Sequence, residues 1–345
     1  MAGCVLAGTA AIGWVLWGGG SGPVNAEGRP PSSTAEVNRS TSTSSSPPST
    51  TTSILPPAPT TTAAPSGPAY TLEPYRGLGA WVDVFDWTVH YDRTPGDPPA
   101  VGLSQIDQMA FHGVRTLYFQ PARFDSPSPG IVEPDQARAI VDRAHANNMS
   151  VVGWYLPTMV DPAFDRAQID AVASLPLDGL GIDIESTLLG DEAERNRRVV
   201  ALSAELRAAH PGQVLSAIVL PPVVTEVYGT YWGSFPWAEL APYYDVWQPM
   251  GYWTMRSVES GWRDAHTYTA ANIDLLRQAT GRPDAVVHPV GGIACCEGPT
   301  APTTAADVEA MVRAAAERGA IGASLYDFAT TPPQLWAPLA AANDL

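Results

Sequence analysis

From Tyr70 to Leu345 the chain alternates apolar, strand-like runs with amphipathic stretches. The strand-like runs are Gly79 to Trp87, Val114 to Gln120, Ser150 to Pro157, Asp178 to Ser186, Val214 to Pro222, Asp245 to Trp253, Ala285 to Ile293 and Gly322 to Thr330. After Glu133, the residues Ala137, Ile140, Val141 and Ala144 recur at helical spacing. A second helix opens with acids at Asp191, Glu192 and Glu194, favourable against the helix dipole, and stops at Pro211-Gly212. A third carries the capping signature Thr304-x-x-Asp307 and closes on Gly319. Shorter helices are expected after the first, third, sixth and eighth strands. Eight strand–helix repeats in about 250 residues predict an α/β fold, a closed (β/α)8 TIM barrel. The alternative is an open doubly wound sheet, but no Gly-rich phosphate loop follows the first strand. Pro249 and Pro289 fall inside strand runs, so those strands should bulge or splay there.

Composition divides the chain further. Residues 2–20 carry no charge, and Val24 to Ala26 offers a small-residue cleavage site. Residues 1–26 therefore read as a signal peptide or a membrane anchor, and membrane association follows only in the second case. Residues 27–69 are a Pro/Ser/Thr-rich linker, expected to be disordered because it has too little apolar surface to offset ordering. Residues 70–345 form the barrel domain, and this organisation predicts an extracytoplasmic location. Glu27 and Glu36 cancel Arg29 and Arg39, so the net charge of −16 belongs to the barrel. Such a surface repels nucleic acid and anionic lipid, leaving neutral glycans or cationic partners. No feature sets an oligomeric state. The only cysteines, Cys4, Cys295 and Cys296, give neither a disulfide framework nor a zinc spacing. The adjacent pair reads as a vicinal ring, as free thiols or as two small loop residues. No metal and no cofactor are expected, and His288 reads as a hydrogen-bonded core residue.

Reactive groups of (β/α)8 enzymes come from the C-terminal strand ends. Polar residues gather there: Asp83, Asp86, Gln120, Asp183, Glu185, Gln248, Tyr252, Tyr326 and Asp327. In "DGLGIDIES", Gly181, Asp183 and Glu185 share one face of the fourth strand. An acid turned toward the helices would be buried unpaired, at a cost of several kcal/mol. Turned inward at the rim, the pair reaches a pocket, with Gly181 leaving space beneath it. Burial and mutual repulsion should raise one carboxyl's pKa, giving a neutral acid beside an anion, as glycosidic cleavage requires. A buried acid pair bonded to backbone or arginine is the plainer reading.

"DGLGIDIE" resembles the fourth-strand D-G-x-D-x-D-x-E motif of family 18 chitinases, and "MGYW" resembles their sixth-strand M-x-Y-D. "IDIE" and "VVGWYL" are more loosely similar to family 25 lysozymes. The resemblance implies that Glu185 is the general acid and that Asp183 orients the substrate's own acetamido group as nucleophile. It further implies that Tyr252 bonds the acetamido carbonyl. Such substrate assistance departs from the two-carboxylate scheme. The chain itself departs from the family at Gly181, where the motif has its first aspartate, at Trp253, and in lacking S-x-G-G on the third strand. Asp83 or Asp327 could compensate for Gly181.

Asp83, Gln120, Trp154, Gln248, Trp253, Tyr326 and Asp327 are the candidate substrate-binding residues. Trp154, Tyr155, Trp232, Trp237, Trp247 and Trp253 could stack on sugar faces or pack as core. Glu297, after the seventh strand, offers an alternative nucleophile. The expectation is an exported glycoside hydrolase cleaving an N-acetylhexosamine-containing polysaccharide. A non-catalytic glycan-binding or structural cell-wall barrel is the alternative.

Overall fold

The computed structural model describes residues 71–91, 97–292 and 302–345. The N-terminal segment and linker, and with them Cys4, Cys295, Cys296 and Glu297, lie outside the described residues. Strands β1 (Gly77–Val82), β2 (Thr116–Phe119), β3 (Ser150–Tyr155), β4 (Gly179–Ile184) and β5 (Leu215–Val219) are followed by four more. These are β6 (Val246–Pro249), β7 (Val286–Val287), β8 (Val290–Gly291) and β9 (Gly322–Leu325). All neighbours pair in parallel, in the order β7-β6-β5-β4-β3-β2-β1-β9-β8.

The two ends of that order are one barrel stave broken at Pro289, which has no N–H to donate. Its backbone still bonds both neighbours. His288 N–H donates to Trp247 O at 2.9 Å, and Ile321 N–H donates to Val287 O at 3.0 Å. Beyond the proline, Gly251 N–H reaches Val290 O at 2.7 Å and Ser324 N–H reaches Pro289 O at 3.2 Å. The ring closes as eight staves, an α/β (β/α)8 barrel. Pro249 ends β6, so both prolines interrupt their strands.

The long helices are α1 (Leu103–Phe111), α2 (Pro134–Ala146), α3 (Pro162–Ala173), α4 (Glu192–Ala209), α5 (Ala265–Ala279) and α6 (Ala305–Glu317). On α2 the buried stripe is Ala137, Ile140, Val141 and Ala144. Asp191 caps α4 by accepting from Glu194 N–H, and Thr304 with Asp307 forms the capping box of α6. No helix among the described residues is long and apolar enough to cross a membrane.

The first strand is shorter than its apolar run. After Val82 the chain enters a single helical turn, Val84–Trp87, because Asp83 caps it: its Oδ1 accepts from Phe85 N–H at 2.8 Å. Asp86 Oδ2 accepts in return from Asp83 N–H at 3.2 Å. Residues 222–245, rich in aromatics, also depart from expectation. Trp232, Trp237 and Trp247 are buried: Phe235 lies between the first two at ring distances of 5.1 and 4.4 Å, and Trp237 meets Trp247 at 5.8 Å. Trp232 donates its indole N–H to Asn196 on α4, with Arg195 stacked 4.1 Å from its centroid. These rings seal the connection against α4 and offer no face to a sugar. Tyr155 is likewise fully buried, its hydroxyl donating to Asp165 at 2.9 Å.

Candidate active site

Residues that pair across parallel strands face the same side of the sheet. Trp154 is in register with Gly181 and Ser216, and Asp183 with Ile218, which pairs Gln248. All face the barrel interior. Its centre is Trp81, stacked on Tyr118 at 4.4 Å, edge-on to Trp154 at 5.9 Å and 6.2 Å from Tyr326. Trp81 Nε1–H donates to Ser324 Oγ at 2.8 Å, and Ser324 meets His288 Nε2 at 3.0 Å. His288 Nδ1 faces the Tyr75 carbonyl at 2.8 Å, so Nδ1 carries the proton and Nε2 accepts from Ser324. Burial lowers the His288 pKa to about 4, so the ring is neutral. As expected from the sequence, it is a hydrogen-bonded core residue.

Above this floor sit the strand-four acids. Asp183 ends the inward row of β4 and is buried, with Oδ1 lacking a hydrogen-bond partner. Burial first, then the charge of Glu185, raises its pKa well above the carboxylate range. Glu185, just beyond the strand, is half-buried and makes no hydrogen bond or ion pair with any described residue. Burial raises its pKa to about 7. Tyr252, in the connection that follows β6, is buried close by. Its hydroxyl is pushed up by burial and then by the charges of Glu185, Asp183 and Asp327. The structure therefore brings Asp183, Glu185 and Tyr252 into one electrostatic neighbourhood.

A second acidic group faces them. Tyr326, whose ring lies 6.2 Å from that of Tyr252, donates its hydroxyl to Asp83 Oδ2 at 2.7 Å. Burial, then Asp83 and Asp327, hold the Tyr326 hydroxyl protonated. Carboxylate oxygens of Asp83, Asp86 and Asp327 lie within 4.8 Å of one another, all buried. Among the described residues these are the ones whose oxygens could hold a hard cation. The sequence does not suggest this triad, because its members come from opposite ends of the barrel domain. Each is already engaged: Asp327 Oδ1, for example, accepts from Thr330 N–H at 2.8 Å and Oγ1–H at 2.9 Å.

Other expected residues have different surroundings. Gln120 Oε1 accepts from Val84 N–H at 3.1 Å and its backbone carbonyl from Trp87 Nε1–H at 3.0 Å, so it ties β2 to the turn after β1. Gln248 is fully buried beside the Tyr118 hydroxyl. Trp253 is fully buried too. It packs so tightly on Gly291 and Gly292 that a Cβ at either would lie 3.0 or 2.9 Å from its ring. It presents no surface to a substrate. Nor does Gly181 leave an open space: a Cβ there would meet Ser216 Oγ at 3.1 Å, and Ile218 Cδ1 and Trp154 Cβ at 3.2 Å. The room an aspartate would need is filled by neighbours. Asp83 and Asp327 are not among the causes of the Asp183 shift.

Fold and rim define a (β/α)8 barrel with paired carboxylates at its C-terminal mouth. No family model and no curated protein matches the sequence. Solved structures share the fold. The Bacillus cereus spore cortex-lytic enzyme SleL matches with a TM-score of 0.53 and 12% identity, over 77% of this chain and 74% of its own. The class V chitinase from Nicotiana tobaccum gives 0.54 and 13%, over 78% of this chain and 98% of its own. A β-galactosidase from the psychrophilic Marinomonas ef1 gives 0.56 and 12%, over 78% and 59%. At such identities the likeness is one of fold, and the chemistry must be argued from the site.

Proposed function

We propose that the barrel is a glycoside hydrolase acting on an N-acetylhexosamine-containing polysaccharide, with Glu185 as general acid. The observation that carries this is Glu185 itself: half-buried, without a bonding partner among the described residues, and raised to about 7 beside buried Asp183. A carboxyl in that state keeps a proton near neutral pH and can deliver it to a leaving oxygen. In the substrate-assisted course, the sugar's acetamido oxygen attacks the anomeric carbon as Glu185 protonates the departing oxygen. Asp183 orients the acetamido group, and Tyr252 positions the sugar. Water then opens the cyclic intermediate, returning its proton to Glu185. The barrel's excess of acidic charge suits a neutral or cationic polymer.

The test is hydrolysis of N-acetylglucosamine oligomers by the full chain and by Glu185→Gln. Loss of general-acid catalysis should lower turnover about 100-fold or more. Equal turnover in both would remove Glu185 from the role. Binding of the oligomers with no turnover by either protein would make this a glycan-binding barrel. We also place the protein outside the cytoplasm, on the uncharged N-terminal stretch and the Pro/Ser/Thr-rich segment. Recovery of the native protein only from the cytoplasmic fraction of its own cells would refute that.

A further inference from the structure

An arginine is seldom fully buried unless its charge and its donors are met. Arg195, in the first turn of α4, is only 3% exposed. Glu192, on the same turn, stands 3.6 Å from its Nη2, and the ring of Trp232 covers the guanidinium at 4.1 Å. What its donors reach is backbone. Nη1–H donates to the Leu189 carbonyl at 2.9 Å and Nη2–H to that of Tyr231 at 3.4 Å. One turn further along, Arg198 Nη1–H donates to the carbonyls of Met159 and Val160 at 2.8 and 2.9 Å. The start of α4 therefore holds the loops that follow β3, β4 and β5.

The middle loop matters most, because it begins with Glu185. Ile184 before it pairs with Val219, and Asp191 after it caps α4. Between them, among the described residues, the backbone of residues 185–190 makes no hydrogen bond to another backbone group. Ser186 Oγ accepts from Leu188 N–H at 3.4 Å within the loop, and the Leu189 side chain packs on the core. Among the described residues, the bond from Arg195 is the loop's one polar tie to another element. A guanidinium suits that duty: its planar fork of donors holds two carbonyls at a fixed spacing, which the flexible ammonium of lysine does not reproduce. Asp183 and Tyr252 feel the charge of Glu185, whereas Arg195 is not among the causes of the Glu185 shift, so its influence runs through the loop and not through its field. We propose that Arg195 is a positioning residue, whose bond to the Leu189 carbonyl holds the loop so that Glu185 stays where it can deliver its proton. This rests on the hydrolase reading above and adds to it the group that fixes the acid.

The experiment compares the full chain with Arg195→Lys, which keeps a charge and a long stem but loses the fork. With N-acetylglucosamine oligomers, kcat should fall about tenfold or more, as small misplacements of a reacting group do, while KM stays within about twofold. The Glu185 carboxyl carbon, identified as the resonance missing from Glu185→Gln, should titrate below its parental value of about 7, moving toward 4.5 as the loosened loop admits water. A parental kcat or an unmoved titration in folded Arg195→Lys would overturn the inference, whatever its melting temperature. If Arg195→Lys does not fold, the unmutated chain decides the matter. Backbone order parameters of residues 186–190 should match those of a rigid strand, ~0.85, and values under about 0.6 would overturn the inference. Turnover lost in Glu185→Gln but kept in Arg195→Lys would sink the positioning role and leave a hydrolase. The expected shift in titration, with no cleavage by the unmutated chain, would do the reverse.

Discussion

Replacing Glu185 with glutamine should make the protein more stable at high pH while disabling it. Burial raises the Glu185 carboxyl from 4.5 to about 7. The folded chain therefore holds this proton more tightly than the unfolded chain, and stability falls as pH rises between those values. The rise corresponds to ~3 kcal/mol. Water reaching the half-buried group screens part of it, leaving ~1–2 kcal/mol to be expected. Glutamine keeps the shape without the charge, and it also relieves Asp183, which Glu185 pushes up. Urea unfolding of parent and Glu185→Gln at a series of pH values should give equal stabilities near pH 4. The curves should separate through the window from 4.5 to about 7, with the variant ahead by ~1–2 kcal/mol at pH 8. A constant gap across that range, or a variant weaker at pH 8, would refute the assigned ionisation.

Three further outcomes follow from the geometry. The kcat/KM of glycan hydrolysis should fall on an alkaline limb near pH 7, where Glu185 loses its proton, and a profile flat to pH 9 would count against the acid role. Gly181→Asp, which restores the chitinase-type residue, should destabilise by ~2–4 kcal/mol without raising activity. Its Cβ would crowd Ser216, Ile218 and Trp154 and bring a buried charge, so a melting temperature equal to the parent's would show that the site relaxes. Asp165→Ala should cost ~3 kcal/mol in thermal unfolding, because it strands Tyr155 Oη–H and the N–H groups of Thr158 and Met159, now bonded at 2.9, 3.2 and 2.8 Å. A loss under about 1 kcal/mol would mean that water replaces the carboxylate.

What the chain determined by itself was local. The alternation of strands and helices, the buried stripe of α2 and the capping box at Thr304 all depend on residues a few positions apart. The shared face of Asp183 and Glu185 was equally legible, since strand parity is fixed by backbone geometry. Proline at 289 foretold the broken stave because a missing donor is a covalent fact. Ring closure decided the rest. Only it brings Tyr326 to Asp83, or Asp327 to Asp83 and Asp86. Only it turns the tryptophans of residues 222–245 inward against α4 and fills the place beside Gly181 with Ser216, Ile218 and Trp154. A side chain's burial depends on what arrives from distant strands, and periodicity along one strand carries no record of that.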